Sequence, residues 1–180
     1  MYAVRASGAD ITNALHRADV ATLASASLAA CNGKMSYVLA GSEPAVQRML
    51  SLLPPRTGSI KLAVTHAFHS PLMRCVEGQF RRALEQIKFT PITQDVIFIS
   101  AVRGRQVQSA ELADVQYWVD HMLLPVQYVD AVECAWKLGG RTFMEMGPQD
   151  TLTKLCGRML DALVKEEGVD KGGYEAIASV

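Results

Sequence analysis

The sequence predicts an α/β chain on three observations. Residues 1–65 alternate short strand-like runs with stretches whose apolar residues recur at spacings of three and four. An Asn32-Gly33 pair stands between two of the short runs, as in a hairpin. After residue 65 the order changes to longer helical stretches punctuated by proline and glycine.

Met1 to Ala6 reads as a strand. Ser7 is placed to N-cap a helix with Ile11, Ala14, Leu15 and Ala18 on one face. Ser27 to Ala30 and Met35 to Ala40 read as strands joined through Asn32-Gly33. Glu43 to Leu53 reads as a helix, with Pro44 in its first turn and Val46, Met49, Leu50 and Leu53 facing inward. Pro54-Pro55 stops it, and Ile60 to Val64 is a last strand. The order β-α-β-β-α-β is that of a ferredoxin-like split βαβ unit, expected over residues 1–65.

The second region is expected over 66–164. His66 to Ser70 is a polar-aromatic loop, and from Pro71 a helix carries Leu72, Val76, Phe80, Leu84 and Ile87 as a stripe. The run Val96-Ile97-Phe98-Ile99 within Asp95 to Ser100 reads as a buried strand, and Gly104 opens a loop. Helices are predicted around Val115 to Met122 and Val126 to Leu138, divided by Pro125 and ended by Gly139-Gly140. Thr142 to Met146 is a strand, Gly147-Pro148 a turn, and Asp150 or Thr151 caps a helix to about Val164. The tail, 165–180, has little periodicity and several glycines, and is expected to lack fixed structure.

Composition narrows the function classes. The 180 residues are 49% hydrophobic and 20% charged, enough to bury a core without staples. Eighteen Lys and Arg balance 18 Asp and Glu, which removes the main reason to expect a nucleic-acid or anionic-membrane partner. No apolar run reaches the ~18–20 residues of a membrane helix, and the first residues do not read as a signal peptide. The four cysteines form no C-x-x-C pair and read as reduced, buried small hydrophobes.

The densest chemistry lies in Thr65-His66-Ala67-Phe68-His69-Ser70-Pro71-Leu72-Met73. Two of the four histidines fall three apart on a loop between a strand and a helix, where reactive groups are commonly mounted. Imidazole takes and returns protons near neutral pH, so acid–base catalysis is one reading. A pair satisfied by backbone is another. A zinc site is disfavoured, because Cys75, His16 and His121 complete no ligand motif.

Here the sequence resembles a known family. His66-Ala67-Phe68-His69-Ser70 is similar to the H-A-F-H signature of the acyltransferase domains of polyketide and fatty acid synthases, the malonyl-CoA:acyl-carrier-protein transacylases. The opening Met1-Tyr2-Ala3-Val4 resembles the family's M-x-A-V, and Ala30-Cys31-Asn32-Gly33 with Val38-Leu39-Ala40-Gly41 its V-N-G-P and V-V-S-G hairpin. Tyr117-Trp118-Val119-Asp120-His121 with Pro125-Val126-Gln127-Tyr128 resembles Y-W-x-x-H and P-V-x-F. Phe143-Met144-Glu145-Met146-Gly147-Pro148 resembles F-x-E-V-G-P. The matches keep their order to about residue 163.

The resemblance implies the C-terminal part of such a domain: a ferredoxin-like subdomain followed by part of an α/β-hydrolase-like body. It implies transfer of a malonyl group from CoA to the phosphopantetheine thiol of acyl carrier protein, with malonyl-CoA as substrate and no permanent cofactor. His69 would be the general base. His66 and Phe68 would line the acyl pocket and favour malonyl over methylmalonyl, which the family pairs with Y-A-S-H. Asn32 would lie at the site's edge, and a backbone carbonyl near Gln127 would orient the base. Expected partners are acyl carrier protein and the N-terminal half of the acyltransferase or neighbouring synthase domains. The expected compartment is the cytoplasm, or an organelle if an upstream segment directs it there.

The family's nucleophile is a serine in G-H-S-x-G, and no G-x-S-x-G occurs in these residues. The chain is therefore expected to carry the base without the nucleophile and to be inactive alone. A non-catalytic piece that binds carrier protein or acts as a scaffold is the alternative, and an acyl hydrolase on the same framework a third reading. Cys31 is read as a core substitution rather than a replacement nucleophile. Arg74, Arg81, Arg82 and Lys88 form a basic stretch after the histidine loop. It reads as a solvated face or as an attraction for an acidic carrier protein or CoA phosphates.

Overall fold

A computed structural model describes residues 1–93, 95–167 and 173–178. Its first region keeps the predicted element order with one helical turn added, and its last strand falls two to three residues earlier than expected. Strand β1 (Tyr2–Arg5) leads to α1 (Gly8–Arg17) and the short α2 (Val20–Leu23). Strands β2 (Ala26–Gly33) and β3 (Ser36–Gly41) follow, then α3 (Glu43–Ser51) and β4 (Gly58–Lys61). Ser7 caps α1 as expected. Its hydroxyl accepts from the Asp10 N–H at 3.1 Å while the Asp10 carboxylate accepts from the Ser7 N–H at 3.2 Å. Such a capping box is worth ~1 kcal/mol.

Antiparallel pairing gives the order β4-β1-β3-β2 of the split βαβ fold. Helices α1 and α3 cover one face. Val4, Ile11, Leu39, Val46, Met49 and Leu53 form the cluster between. Each large aliphatic there contributes roughly 1.5–3 kcal/mol through burial.

The hairpin turn is displaced from its predicted place. Gly33 pairs with Ser36, so Lys34-Met35 makes the two-residue turn and Asn32-Gly33 ends a strand. The register shift between Cys31 and Gly33 accommodates Asn32 as an irregularity in β2, which carries the strand past the expected bend.

A 3-10 turn (Pro71–Met73) begins the second region and runs into α4 (Arg74–Leu84). Of the predicted stripe, Leu84 is buried, Val76 and Phe80 are half-buried, and Leu72 and Ile87 are exposed. Strands β5 (Ile99–Ser100) and β6 (Arg105–Gln106) form a small antiparallel pair. The strand expected from Asp95 shrinks to that stub. Val96 and Ile97 are exposed, because no neighbouring strand among the described residues offers a ladder to their backbone.

Helices α5 (Ser109–Leu112) and α6 (Val115–Leu123) precede β7 (Val126–Gln127) and α7 (Tyr128–Lys137). Val126 and Gln127, predicted to be helical, instead pair in parallel with Ala30 and Cys31, extending the first sheet to β4-β1-β3-β2-β7. Strand β8 (Thr142–Glu145) and α8 (Thr151–Glu167) follow. The tail was expected to be unstructured, yet β9 (Glu175–Ala178) pairs in parallel with β8. Residues 168–172, 179 and 180 lie outside the described residues. Among the described residues no helix is long and apolar enough to cross a membrane.

Candidate active site

The histidine loop is pinned at His69. This residue has φ 57°, the left-handed region, the sole non-glycine in that region among the described residues. Such backbone costs ~1–3 kcal/mol and persists only where the surroundings hold it. Three contacts do so. The Ser27 hydroxyl on β2 donates to the His69 carbonyl at 2.8 Å, and the His69 N–H donates to the Met122 carbonyl at 3.2 Å. The ring Nδ1 lies 3.0 Å from the Leu124 carbonyl oxygen. Next door, the buried Ser70 hydroxyl donates to the Ala67 carbonyl at 2.6 Å and accepts from the Leu72 N–H at 3.3 Å, which fixes the loop's exit.

Those carbonyls belong to the C-terminal end of α6. A helix end leaves carbonyls without helical partners, and His69 satisfies two of them, one with its backbone and one with its ring. Leu124 is extended, with φ −88° and ψ 158°, because Pro125 disfavours helical backbone before it. The residue sets its carbonyl facing the imidazole. A carbonyl only accepts, so Nδ1 holds a proton in that bond and the neutral ring keeps its lone pair on Nε2.

The predicted orienting residue is therefore corrected. The carbonyl comes from Leu124, and Gln127 is occupied elsewhere. Its N–H donates to the Ala101 carbonyl at 2.6 Å, and it pairs with Cys31 across the sheet. Asn32 is also not brought to His69. Ser27 is the β2 residue that reaches the loop, and Asn32 lies five residues further along the strand, roughly 16 Å away at strand rise. It opens instead into a cavity of about 700 Å³, shared with Arg5, Ile60, Glu133, Arg158 and Met159, which none of His66, Phe68 or His69 lines.

His66 and Phe68 stay at the loop surface. Both are exposed, and their rings stand 5.7 Å apart at 42°. His66 Nδ1 is 2.8 Å from the Thr65 hydroxyl. Among the described residues no group of three His, Cys, Asp or Glu is placed to hold a metal ion.

Burial pushes the His69 pKa below its ordinary value, and the carbonyls of Leu124 and His121 push part of the way back. The ring is thus neutral at pH 7, the form that accepts a proton. His121 sits on α6 with its pKa lowered by burial and then by the charges of His69 and Arg103. Its Nε2 lies 3.2 Å from the Tyr117 hydroxyl, which bonds the buried Ser100 hydroxyl at 2.8 Å. Arg103 pairs with Asp120 at 2.7 Å. Cys31 is half-buried, and burial with the Asp130 carboxylate pushes its thiol up, so it is protonated and not a nucleophile.

Leu124, Met122 and Ser27 were missed from sequence. Two act through backbone carbonyls, which carry no residue signal, and a strand serine is too common to stand out. His121 had a signal, one helical turn after Tyr117, but no assigned role.

Comparison with known proteins identifies the family of the chain. The family model described as "Acyl transferase domain" matches residues 3–171. The chain is 38% identical over 154 residues to polyketide synthase GfsA of Streptomyces halstedii, covering 85% of this chain and 2% of that protein. It superposes on the acyltransferase domain from the second module of the salinomycin polyketide synthase with TM-score 0.80 and 29% identity, covering 98% of this chain and 38% of that one. The acyltransferase domain of SpnD, solved in complex with 2-(pent-4-yn-1-yl)malonyl, gives TM-score 0.80 and 25% identity over 98% of this chain and 39% of that one. The chain therefore spans well under half the length of these relatives. A match over nearly all its residues, on a fold that mounts a neutral histidine at a helix end, places the chain in the acyl transferase domain family.

Proposed function

We propose that the chain supplies the general base of an acyltransferase that moves a malonyl group from CoA to the phosphopantetheine thiol of acyl carrier protein. The observation that carries this reading is the His69 ring, neutral, with Nδ1 on the Leu124 carbonyl and Nε2 left to accept a proton. The malonyl class is supported by the SpnD domain's bound ligand and by the H-A-F-H loop. No permanent cofactor is needed.

The nucleophilic serine comes from the rest of the acyltransferase fold. His69 Nε2 takes the serine proton as its oxygen attacks the thioester carbonyl. The tetrahedral intermediate collapses, the carbon–sulfur bond breaks, and the imidazolium returns its proton to the departing CoA thiolate. The carrier thiol then gives its proton to His69 and attacks the malonyl-serine ester. That carbon–oxygen bond breaks and the serine recovers a proton from His69. The carbonyls at the C-terminus of α6 favour the imidazolium formed twice in this cycle. His66 and Phe68, exposed on the same loop as the base, would line the acyl pocket once the rest of the fold is present.

The test joins this chain to the serine-bearing part of the salinomycin domain and measures malonyl transfer to a carrier protein. Transfer that disappears with His69→Ala supports the reading. A hybrid that folds, binds carrier protein and transfers nothing favours the non-catalytic alternative.

A further inference from the structure

The two carbonyls that seat His69 both lie where α6 runs out into β7. Met122 accepts from the His69 N–H at 3.2 Å, and the Leu124 oxygen faces Nδ1 at 3.0 Å. Pro125 in that exit has no N–H to give, so the exit keeps its shape only if its two ends are fastened. A turn at residues 100–103, between β5 and β6, fastens both.

The upstream end is held twice. The Tyr117 hydroxyl on α6 donates to the Ser100 hydroxyl at 2.8 Å, and both side chains are fully buried. Three residues along the helix, the Asp120 carboxylate accepts from the Arg103 guanidinium at 2.7 Å. The Asp120 carbonyl accepts from the Leu124 N–H at 2.8 Å. At the downstream end, the Gln127 N–H donates to the Ala101 carbonyl at 2.6 Å. The Ser100 oxygen also closes the turn itself, accepting from the N–H groups of Val102 and Arg103 at 3.2 and 3.1 Å.

The helix that follows the histidine loop reaches the same turn. On α4, the Arg81 guanidinium donates to the Gln116 side-chain oxygen at 2.6 Å, and the Gln116 amide donates to Asp120 at 2.7 Å. Arg81, Gln116, Asp120 and Arg103 thus run in series from α4 to the turn. The left-handed backbone of His69 persists only where its surroundings over-determine it, and these contacts converge on the segment that does so.

We propose that the 100–103 turn is the brace of the general base, and that Ser100, Arg103, Tyr117 and Asp120 are positioning residues. Through the α6 exit they keep the Met122 and Leu124 carbonyls, and so the His69 ring, aligned for proton transfer. The inference rests on the proposed transfer reaction and adds to it residues that do not touch substrate. A shift of about 1 Å caused far from the chemistry can cost on the order of a hundredfold in rate, so the brace governs turnover rather than substrate binding.

The first measurement uses the isotope-labelled 180-residue chain, with the His69 resonances assigned by their absence in His69→Gln. Long-range proton–nitrogen correlations, taken where the ring is neutral, report which nitrogen holds the proton. The unmodified chain should show the Nδ1–H tautomer that the Leu124 carbonyl selects. Tyr117→Phe, Arg103→Ala and their combination should each admit the Nε2–H tautomer. Arg103→Lys, which can keep the ion pair, should stay close to the unmodified chain. Val46→Ala, in the core of the ferredoxin-like sheet, is the control for general loss of stability. It should lower the melting temperature and leave the tautomer alone. Circular dichroism checks each fold, and the single variants decide if the combination does not fold.

The second measurement is steady-state transfer in the hybrid domain. The combined variant should lose about tenfold or more in kcat with KM for malonyl-CoA little changed, and Arg103→Lys should retain most of the rate. If the tautomer or kcat fails to move in the brace variants, or both move equally in Val46→Ala, the brace is overturned and His69 remains the base. An unmodified chain without the Nδ1–H tautomer, or an unmodified hybrid that transfers nothing, removes the reading on which the brace rests, and the brace with it.

Discussion

His69 is held by its ring, its N–H and its carbonyl, and the burial of that seat shows in its proton. Burial lowers the pKa of His69 and of His121 in the folded chain. Between the folded and unfolded values the unfolded chain binds more protons, so stability rises with pH there. The contribution is complete above about pH 6.5, the ordinary histidine value, and is lost as pH falls toward the lowered values. Melting temperatures measured from pH 7.5 to pH 5 should therefore decline, and the decline should shrink when His69 and His121 are both replaced by Gln. A second expectation concerns choice of substrate. In the hybrid domain, Phe68→Ser with His66→Tyr should raise acceptance of methylmalonyl-CoA in direct competition with malonyl-CoA. A pocket separates substrates differing by one methyl by only ~1–3 kcal/mol, so the change is at most roughly 10–200-fold. A product ratio that stays put at intact turnover would remove positions 66 and 68 from the pocket wall. His66→Ala should leave turnover largely in place, whereas His69→Ala should not.

At the scale of elements, legibility follows how local the cause is. The Ser7 cap of α1 was readable because its partner is three residues away, and so were the helical stripe of α3 and the glycine end of α7. The hairpin turn was misplaced because the irregularity at Asn32 depends on pairing with β3. Val126-Gln127 looked helical because its true partner, β2, lies nearly a hundred residues upstream. One close contact shows how tightly β2 and β3 are joined at one end of their pairing. Gly41 pairs with Ala26, and an added Cβ would fall 2.2 Å from the Ser25 carbonyl oxygen. Gly41→Ala should destabilise the chain by about 3 kcal/mol, a fall in melting temperature on the order of 10 °C. An unchanged melting temperature would mean that β2 and β3 can separate there without cost.

At the scale of the molecule, the described residues form several apolar clusters rather than one. The ferredoxin-like sheet has its own, α7 and α8 share another around Trp136 and Leu160, and Val107 and Tyr117 centre a third. Val96, Ile97, Met144 and Met146 remain exposed, and among the described residues β8 pairs only with β9. Two-stranded pieces are marginal by themselves, so these surfaces suit contact with the remainder of an acyltransferase fold. The site was half legible for the same reason. His66, Phe68 and His69 are neighbours in sequence, whereas the α6 carbonyls that orient the base arrive through tertiary folding. The most direct measurement is single-turnover acylation of the serine in the hybrid domain, followed by intact mass after mixing with malonyl-CoA. The hybrid should acylate, and His69→Ala should slow acylation by at least about a thousandfold, since a base and its nucleophile act as a unit. A His69→Ala hybrid that acylates at the unmodified rate would contradict the assignment of His69 as the general base.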